Sequence, residues 1–366
     1  TCSVLLVVSA SFRQARADLF LPPLIAALNS RQIPDQNISI LFSTGVHRAP
    51  TPAEQRTILG SAVHDRFRPR LFSHDAETGL HVHVGTTSRG NSVEINERVL
   101  QADRVIVTGA IVLHYFGGFG GGRKSIVPGL ASAATIARNH SLNLHPTEDQ
   151  LDPAVRIGTL DGNPVAEDML EAARLCRVRF IPSTGLTRDA RIAAAFGGDL
   201  NAAHRAGCEF AHNLYARPIS QRADLVIAAS PHTKNFVQTH KALYNAYQAV
   251  QPDGRIILAA PCPEGLGGER FSKWLALRER AKVFESLRTR SEINGQTALS
   301  TLEKPPITRF VTELSATDVD RLTGQKSTSL QDAIDDALAD LARNGIAQPS
   351  VYLMPSAAHT VPLPQP

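Results

Sequence analysis

"RVIVTGAIVLHYFGGFGGGRK", residues 104–124, runs an unbroken apolar stretch straight into five glycines, two cations and a histidine. Residues 104–112 have the length and β-branched content of a strand covered on both faces, the habit of parallel sheets. The stretch 114–124 is poor in side chains, and helix-like text follows it. A bare backbone lets a ligand approach closely, and exposed N–H groups near a helix N-terminus attract anions. Arg123 and Lys124 add positive charge there. Yet "GGFGGGRKS" (117–125) lacks the four-residue spacing of a Walker loop, and no GxGxxG with its downstream acid is met. A glycine-rich turn beside two cations is the competing reading. Lys124 is also a candidate covalent anchor, since a desolvated ε-amine becomes nucleophilic.

Working outward, "SVLLVVSA" (3–10), "ISILFST" (38–44), "DLVIAAS" (224–230) and "RIILAAP" (255–261) read as further buried strands. Between them lie amphipathic segments read as helices at 20–31, 91–101, 163–175 and 235–250, with a last one at 329–343 capped by Ser329. This alternation predicts an α/β protein with mainly parallel sheets. The length of 366 residues exceeds what one core usually spans, and "YARPISQRAD" (215–224) is a Pro-containing polar break. Two α/β domains are therefore expected, 1–215 and 216–366, with an active-site cleft between them. The region 285–330 reads as polar, broken at "EKPPIT" (303–308), and the tail "HTVPLPQP" as extended.

The net charge of +4 is mild and aromatic residues are only 5%, so the basic stripe and stacking platforms of nucleic-acid binding are missing. No apolar run approaches membrane-helix length. Four cysteines, Cys2, Cys176, Cys208 and Cys262, lie far apart with no CxxC spacing, which implies a reducing, cytoplasmic setting rather than a disulfide framework or zinc site. The chain opens abruptly on a strand, which implies a segment upstream.

Other stretches supply chemistry. "STGVHRAPTPAEQ" (43–55) ends a strand at Gly45, His47 and Arg48 and opens a helix near Thr51. The C-terminal edge of a parallel sheet is where α/β proteins bind ligands, which makes His47 an acid–base candidate. His140 ends a helix starting near Ala131, where it faces the glycine loop or simply meets the helix dipole. "SHDA" (73–76) is a polar turn, and "GTTSRGNSVEIN" (85–96) reads as a turn and helix start. Gln238 and Lys241 stand three apart on one helical face, a spacing equally at home on a solvated surface.

Together these motifs resemble the nickel-pincer nucleotide-dependent lactate racemase family. Its pattern is met in order by "STGVHR", "HDA", "GTTSRG" and "HYFGGFGGGRKSIVPG", then by "LDGNPVAEDMLEAARL", "AAHRAGCEFA", "QTHKALYNAYQAVQPDGRIILAAPCPEGLG" and "VYLMP". The resemblance implies a 2-hydroxy acid racemase or epimerase. Lys124 matches the lysine that tethers the cofactor, a pyridinium-3-thioamide-5-thiocarboxylic acid mononucleotide holding Ni(II), and His140 matches the ligand completing the metal's square plane. His47 and His114 match catalytic histidines on opposite substrate faces. Arg13, Gln238 and Lys241 fall on substrate-holding positions. The loop residues Gly118, Gly120, Gly121, Gly122 and Arg123 are expected to berth the cofactor and its phosphate. A small 2-hydroxy acid and the cofactor-making enzymes are the implied partners.

The chain departs from the family where substrate is held. The family's D-x-T-R-P becomes "ASFRQ" (10–14), with Ala10, Phe12 and Gln14 as replacements, and "SPHTKN" (230–235) replaces its GGYP-K-D text. Pocket polarity and volume should change accordingly, leaving the particular acid open. Two further readings stand: a nicotinamide- or ATP-dependent enzyme using the glycine loop for phosphate, and a non-catalytic ligand-binding relative.

Overall fold

A computed structural model describes residues 2–10, 15–187 and 189–364. The chain divides into two compact units, residues 1–145 with 151–214 and residues 146–150 with 215–366. In chain order the first unit runs β1 (Val4–Ser9), α1 (Ala17–Ser30), β2 (Ile38–Ser43), α2 (Pro52–Leu59), α3 (Ser61–Phe67), β3 (Leu71–Ser73), β4 (His81–Thr86) and β5 (Ser92–Asn96). It continues through α4 (Arg98–Gln101), β6 (Arg104–Val107), β7 (Gly109–Ala110), β8 (Leu113–His114) and β9 (Gly118–Phe119). After the glycine loop come α5 (Ala133–Ser141), α6 (Pro164–Leu175), β10 (Ile181–Leu186), β11 (Ile192–Gly198) and α7 (Ala202–Tyr215).

The mainly parallel α/β reading holds. Strands β3, β2, β1 and β6 form a parallel sheet in that spatial order, and β7 joins β10 in parallel beside the antiparallel β11. Every residue of β1 is buried because both faces of the sheet are covered. Leu5 and Val7 pack with Ile126, Val127, Leu130 and Met169 on one side. Val4, Leu6 and Val8 pack with Leu21, Ile25 and Phe67 on the other. Each such side chain contributes about 1.5–3 kcal/mol by leaving water. The segment that follows β1 and bears Arg13 lies outside the described residues.

One expectation is corrected. Residues 91–101 are not a single helix: β5 pairs antiparallel with β4, and only Arg98–Gln101 is helical. Val93 and Ile95 point the same way from a pleated strand and are both fully buried, and β-branched residues favour that surface. The turn between the strands uses Gly90 at φ 71°.

The second unit runs β12 (Ala216–Ile219), β13 (Ala223–Ala229), α8 (Phe236–Ala249), β14 (Val250–Ala259), α9 (Glu269–Leu275), α10 (Arg280–Thr289) and α11 (Ile293–Leu302). Then follow β15 (Thr308–Val311), α12 (Ala316–Arg321), β16 (Gln325–Lys326), α13 (Leu330–Arg343), β17 (Val351–Met354) and β18 (Val361–Pro364). Its central sheet is parallel throughout, in the order β16-β15-β14-β13-β17. Ser329 caps α13 by accepting the Asp332 N–H, and Ala333, Ala337 and Leu341 line the helix face buried against Leu225 and Ile257. The stretch read as polar, 285–330, contains a buried helix instead. Thr297 and Thr301 sit inside α11 because each hydroxyl bonds a carbonyl one turn back, Ile293 O and Thr297 O.

Candidate active site

The glycine stretch is a folded hairpin and turn. β8 pairs with β9, and a 3-10 turn over Gly122–Ser125 carries Arg123 and Lys124 into the interior. Their glycine neighbours are bare because the protein itself fills the space. A Cβ on Gly118 (φ 69°) would stand 2.0 Å from the Thr159 carbonyl oxygen, and one on Gly122 (φ 50°) 2.5 Å from the His204 ring. Gly121 packs likewise on the Ala110 carbonyl, and Gly120 O accepts the Nε2–H of His204 at 2.9 Å.

Three of the expected residues meet at the tripeptide Tyr115–Phe116–Gly117. His114 Nδ1 accepts the N–H groups of Phe116 and Gly117 at 3.2 and 3.1 Å, and its ring stacks on Tyr115. A nitrogen that accepts two N–H groups carries no hydrogen, so the neutral ring holds its proton on Nε2. The Phe116 ring lies 4.7 Å from the ring of His140. A Cβ on Gly117 would meet Lys124 Cδ at 3.5 Å and Nζ at 3.6 Å, so the buried lysine lies along bare backbone.

Arg123 is turned inward. Its guanidinium donates to Ala166 O at 3.2 Å and to His204 Nδ1 at 3.0 Å. No carboxylate pairs with it among the described residues, and burial pulls its pKa down to about 10. His204 is held neutral by the same burial and by the adjacent Arg123, its pKa pushed down to about 3. That bridge between α7 and the loop went unread in the sequence.

His47 sits exposed on the turn after β2, as expected for the sheet's C-terminal edge. The turn is bonded to the lysine segment by a short relay: Gly45 N–H donates to Gly129 O at 3.0 Å, and Gly129 N–H to Lys124 O at 3.0 Å. Helix α2 opens with a Thr51–Glu54 capping box, and Glu54 also pairs with Arg48. The HDA motif is a brace. His74 is buried, bonds Ala131 O through Nε2 and accepts from Asn96 at Nδ1, and desolvation pushes its pKa down to about 4.

His140 is buried in the last turn of α5. Its neighbour Asn139 donates to Asp168 Oδ2 at 2.8 Å and to Val165 O at 3.1 Å, both on α6. Asn91 and Thr87, from the GTTSRGN turn, donate to the same fully buried carboxylate. The available signal was an aspartate inside the buried face formed by Val165, Met169, Ala172 and Ala173. Among the described residues no group of three or more His, Cys, Asp or Glu converges.

In the second unit, Asn235 caps α8 and Lys241 donates to Gln238 Oε1 at 3.1 Å, so the two expected residues touch each other. Arg13 lies outside the described residues.

The profile of the lactate racemase N-terminal domain matches residues 1–151, and that of the lactate racemase C-terminal domain matches residues 219–339. The chain belongs to the lactate racemase family. It is 32% identical over 276 residues to the lactate racemase of Thermoanaerobacterium thermosaccharolyticum, covering 74% of this chain and 63% of that protein. It is 33% identical over 285 residues to the lactate racemase of Lactiplantibacillus plantarum, covering 77% and 65%. The chain thus spans less than two thirds of the length of these curated relatives. The solved lactate racemase apoprotein from T. thermosaccharolyticum superposes with a TM-score of 0.89 at 26% identity, over 99% of this chain and 87% of that one. A Thermotoga maritima protein shares the fold at 15% identity, with a TM-score of 0.72, over 100% of this chain and 94% of that one.

Proposed function

We propose that this member of the lactate racemase family is an isomerase that inverts C2 of a small 2-hydroxy acid by racemisation or epimerisation. The supporting observation is the 115–117 tripeptide, which engages His114, Lys124 and His140 together. In this reading Lys124 carries the nickel-pincer nucleotide by a covalent bond and His140 is its protein ligand to Ni(II). The residues fit that group: a buried lysine along bare backbone, the buried imidazole of His140 against Phe116, and a buried Arg123 whose guanidinium donates to Ala166 O and His204 Nδ1. When bound, the nucleotide would supply reversible acceptance of the C2 hydrogen with its electron pair. Gly118, Gly120, Gly121 and Gly122 would belong to the loop that berths it, and Arg123 would add positive potential for its phosphate.

The acid–base work falls to His47 and His114. A racemase must accept both enantiomers, so each face of the substrate needs a group that exchanges the hydroxyl proton near neutral pH, and histidine suits that task. In neutral His114 the exchangeable proton sits on Nε2, because Nδ1 is committed to two backbone N–H groups. Arg13, in a 1–215 domain carrying the cofactor anchor and the catalytic histidines, would pair with the carboxylate, and Gln238 with Lys241, in a 216–366 domain contributing substrate contacts, would hold its oxygens. Loading requires the cofactor-making enzymes, and a cytoplasmic setting is in keeping with four free cysteines. No helix among the described residues is long and apolar enough to cross a membrane.

Intact mass of protein co-expressed with those enzymes tests the reading. An adduct that disappears in Lys124→Ala, with stoichiometric nickel by elemental analysis, is expected. A lysine left unmodified while racemisation persists sinks it. Saturable nicotinamide or ATP binding at the loop would favour a phosphate-loop enzyme, and an adduct without C2 inversion across a panel of 2-hydroxy acids a binding protein.

A further inference from the structure

We infer that Asp168 is the positioning residue for His140, fixing the rotation of α5 about its axis through Asn139. This rests on the assignment of His140 as the nickel ligand. Adjacent residues on a helix project about 100° apart, so locking one side chain sets the azimuth of the next. Asn139 is locked at two points on α6, by Asp168 Oδ2 and by Val165 O, while His140 turns to the Phe116 ring. The other end of α5 is held separately. Ser132 caps it, and Thr135 bonds Ser92 O and Glu94 N–H on β5.

Several features set this network apart from ordinary core packing. Asp168 is fully buried, and among the described residues no cation pairs with it; its partners are Thr87, Asn91 and Asn139. A buried carboxylate is costly to retain, and an apolar residue would complete the surrounding face of α6 at lower cost. Both amides turn their NH2 groups to the carboxylate and leave buried Oδ1 atoms without a protein partner. Asn139 is therefore oriented by its two acceptors on α6, the Asp168 carboxylate and Val165 O, with its own oxygen left without a protein partner. Groups behind a metal ligand commonly orient it in this way.

The test compares wild type, Asp168→Asn and Asn139→Ala, each co-expressed with the cofactor-making enzymes. Four quantities are read: the Lys124 adduct by intact mass, nickel per adduct by elemental analysis, nickel affinity by chelator competition, and the melting temperature. Both variants should form the adduct at the wild-type level, yet hold nickel about 10-fold less tightly in a chelator competition. Unchanged nickel affinity in the variants, whatever their melting temperatures, overturns the inference and leaves Asp168 a packing residue. If Asp168→Asn does not fold, Asn139→Ala decides alone, because the carboxylate keeps Thr87 and Asn91. A wild-type protein with the adduct but no nickel overturns the His140 assignment itself, and the wild-type arm therefore tells the two failures apart.

Discussion

The rings of Phe116 and His140 lie 4.7 Å apart and tilted by 39°, while the Phe116 N–H is bonded to His114 Nδ1. The proposed metal ligand and a proposed acid–base group are thereby set by one residue. Phe116→Leu keeps an apolar side chain in a buried position but removes the ring contact, worth about 0.5–1.5 kcal/mol. Misplacement of reacting groups by about 1 Å costs far more in rate, of order 100-fold. A modest fall in melting temperature with a much larger fall in kcat is expected from steady-state kinetics and thermal melts. Loss of stability with full kcat would make Phe116 a packing residue only.

Gly117 and Gly118 should respond in opposite ways to alanine. At Gly118 the new Cβ would strike the Thr159 carbonyl at 2.0 Å with φ at 69°, so Gly118→Ala should destabilise the fold by about 1–3 kcal/mol. At Gly117 the new Cβ makes ordinary contacts, but with the Lys124 side chain. Gly117→Ala should fold at nearly the wild-type melting temperature and show reduced adduct formation on Lys124. Melts and intact mass check the pair, and the same response from both variants contradicts the distinction.

His47→Ala and His114→Ala should each remove racemisation while leaving the Lys124 adduct in place. Acid–base groups of this kind contribute about 100- to 10,000-fold, and an inverting cycle needs one on each face. A single variant that retains full activity contradicts the two-face assignment.

The sheets were legible because parallel strands covered on both faces appear as continuous apolar runs, as in β1 and β6. The stretch at 92–96 was not, since Ile95 with Val99 and Val93 with Leu100 stand four and seven apart, at helical spacing, until β4 is there to pair with. Helix α11 was misread as polar because Thr297 and Thr301 satisfy themselves on their own backbone, which composition does not reveal. The segments bearing His47, His114, Lys124 and His140 stood out through their resemblance to the family's motifs. The groups that hold them did not. Asp168 gathers amides 29 and 77 residues away, and His204 reaches the glycine loop from α7, pairings that only the fold creates.

Acid should unfold the N-terminal unit earlier than its surface charge suggests, because His74 and His204 are buried in neutral form. Their folded pKa values are about 4 and about 3, both below the ordinary value of 6.5, chiefly through desolvation. Above pH 6.5 neither state binds the proton, and the contribution of these groups is fully present. Below it the unfolded chain takes up protons that the folded chain refuses, so stability falls as pH drops toward 4 for His74 and toward 3 for His204. Each group costs about 1.4 kcal/mol per pH unit in that window. Thermal melts at pH 7.5, 6.5 and 5.5 should show little change over the first step and a clear fall over the second. The slope should be shallower in His74→Gln, whose amide cannot titrate; if it retains the full acid sensitivity of wild type, His74 is not a source of it.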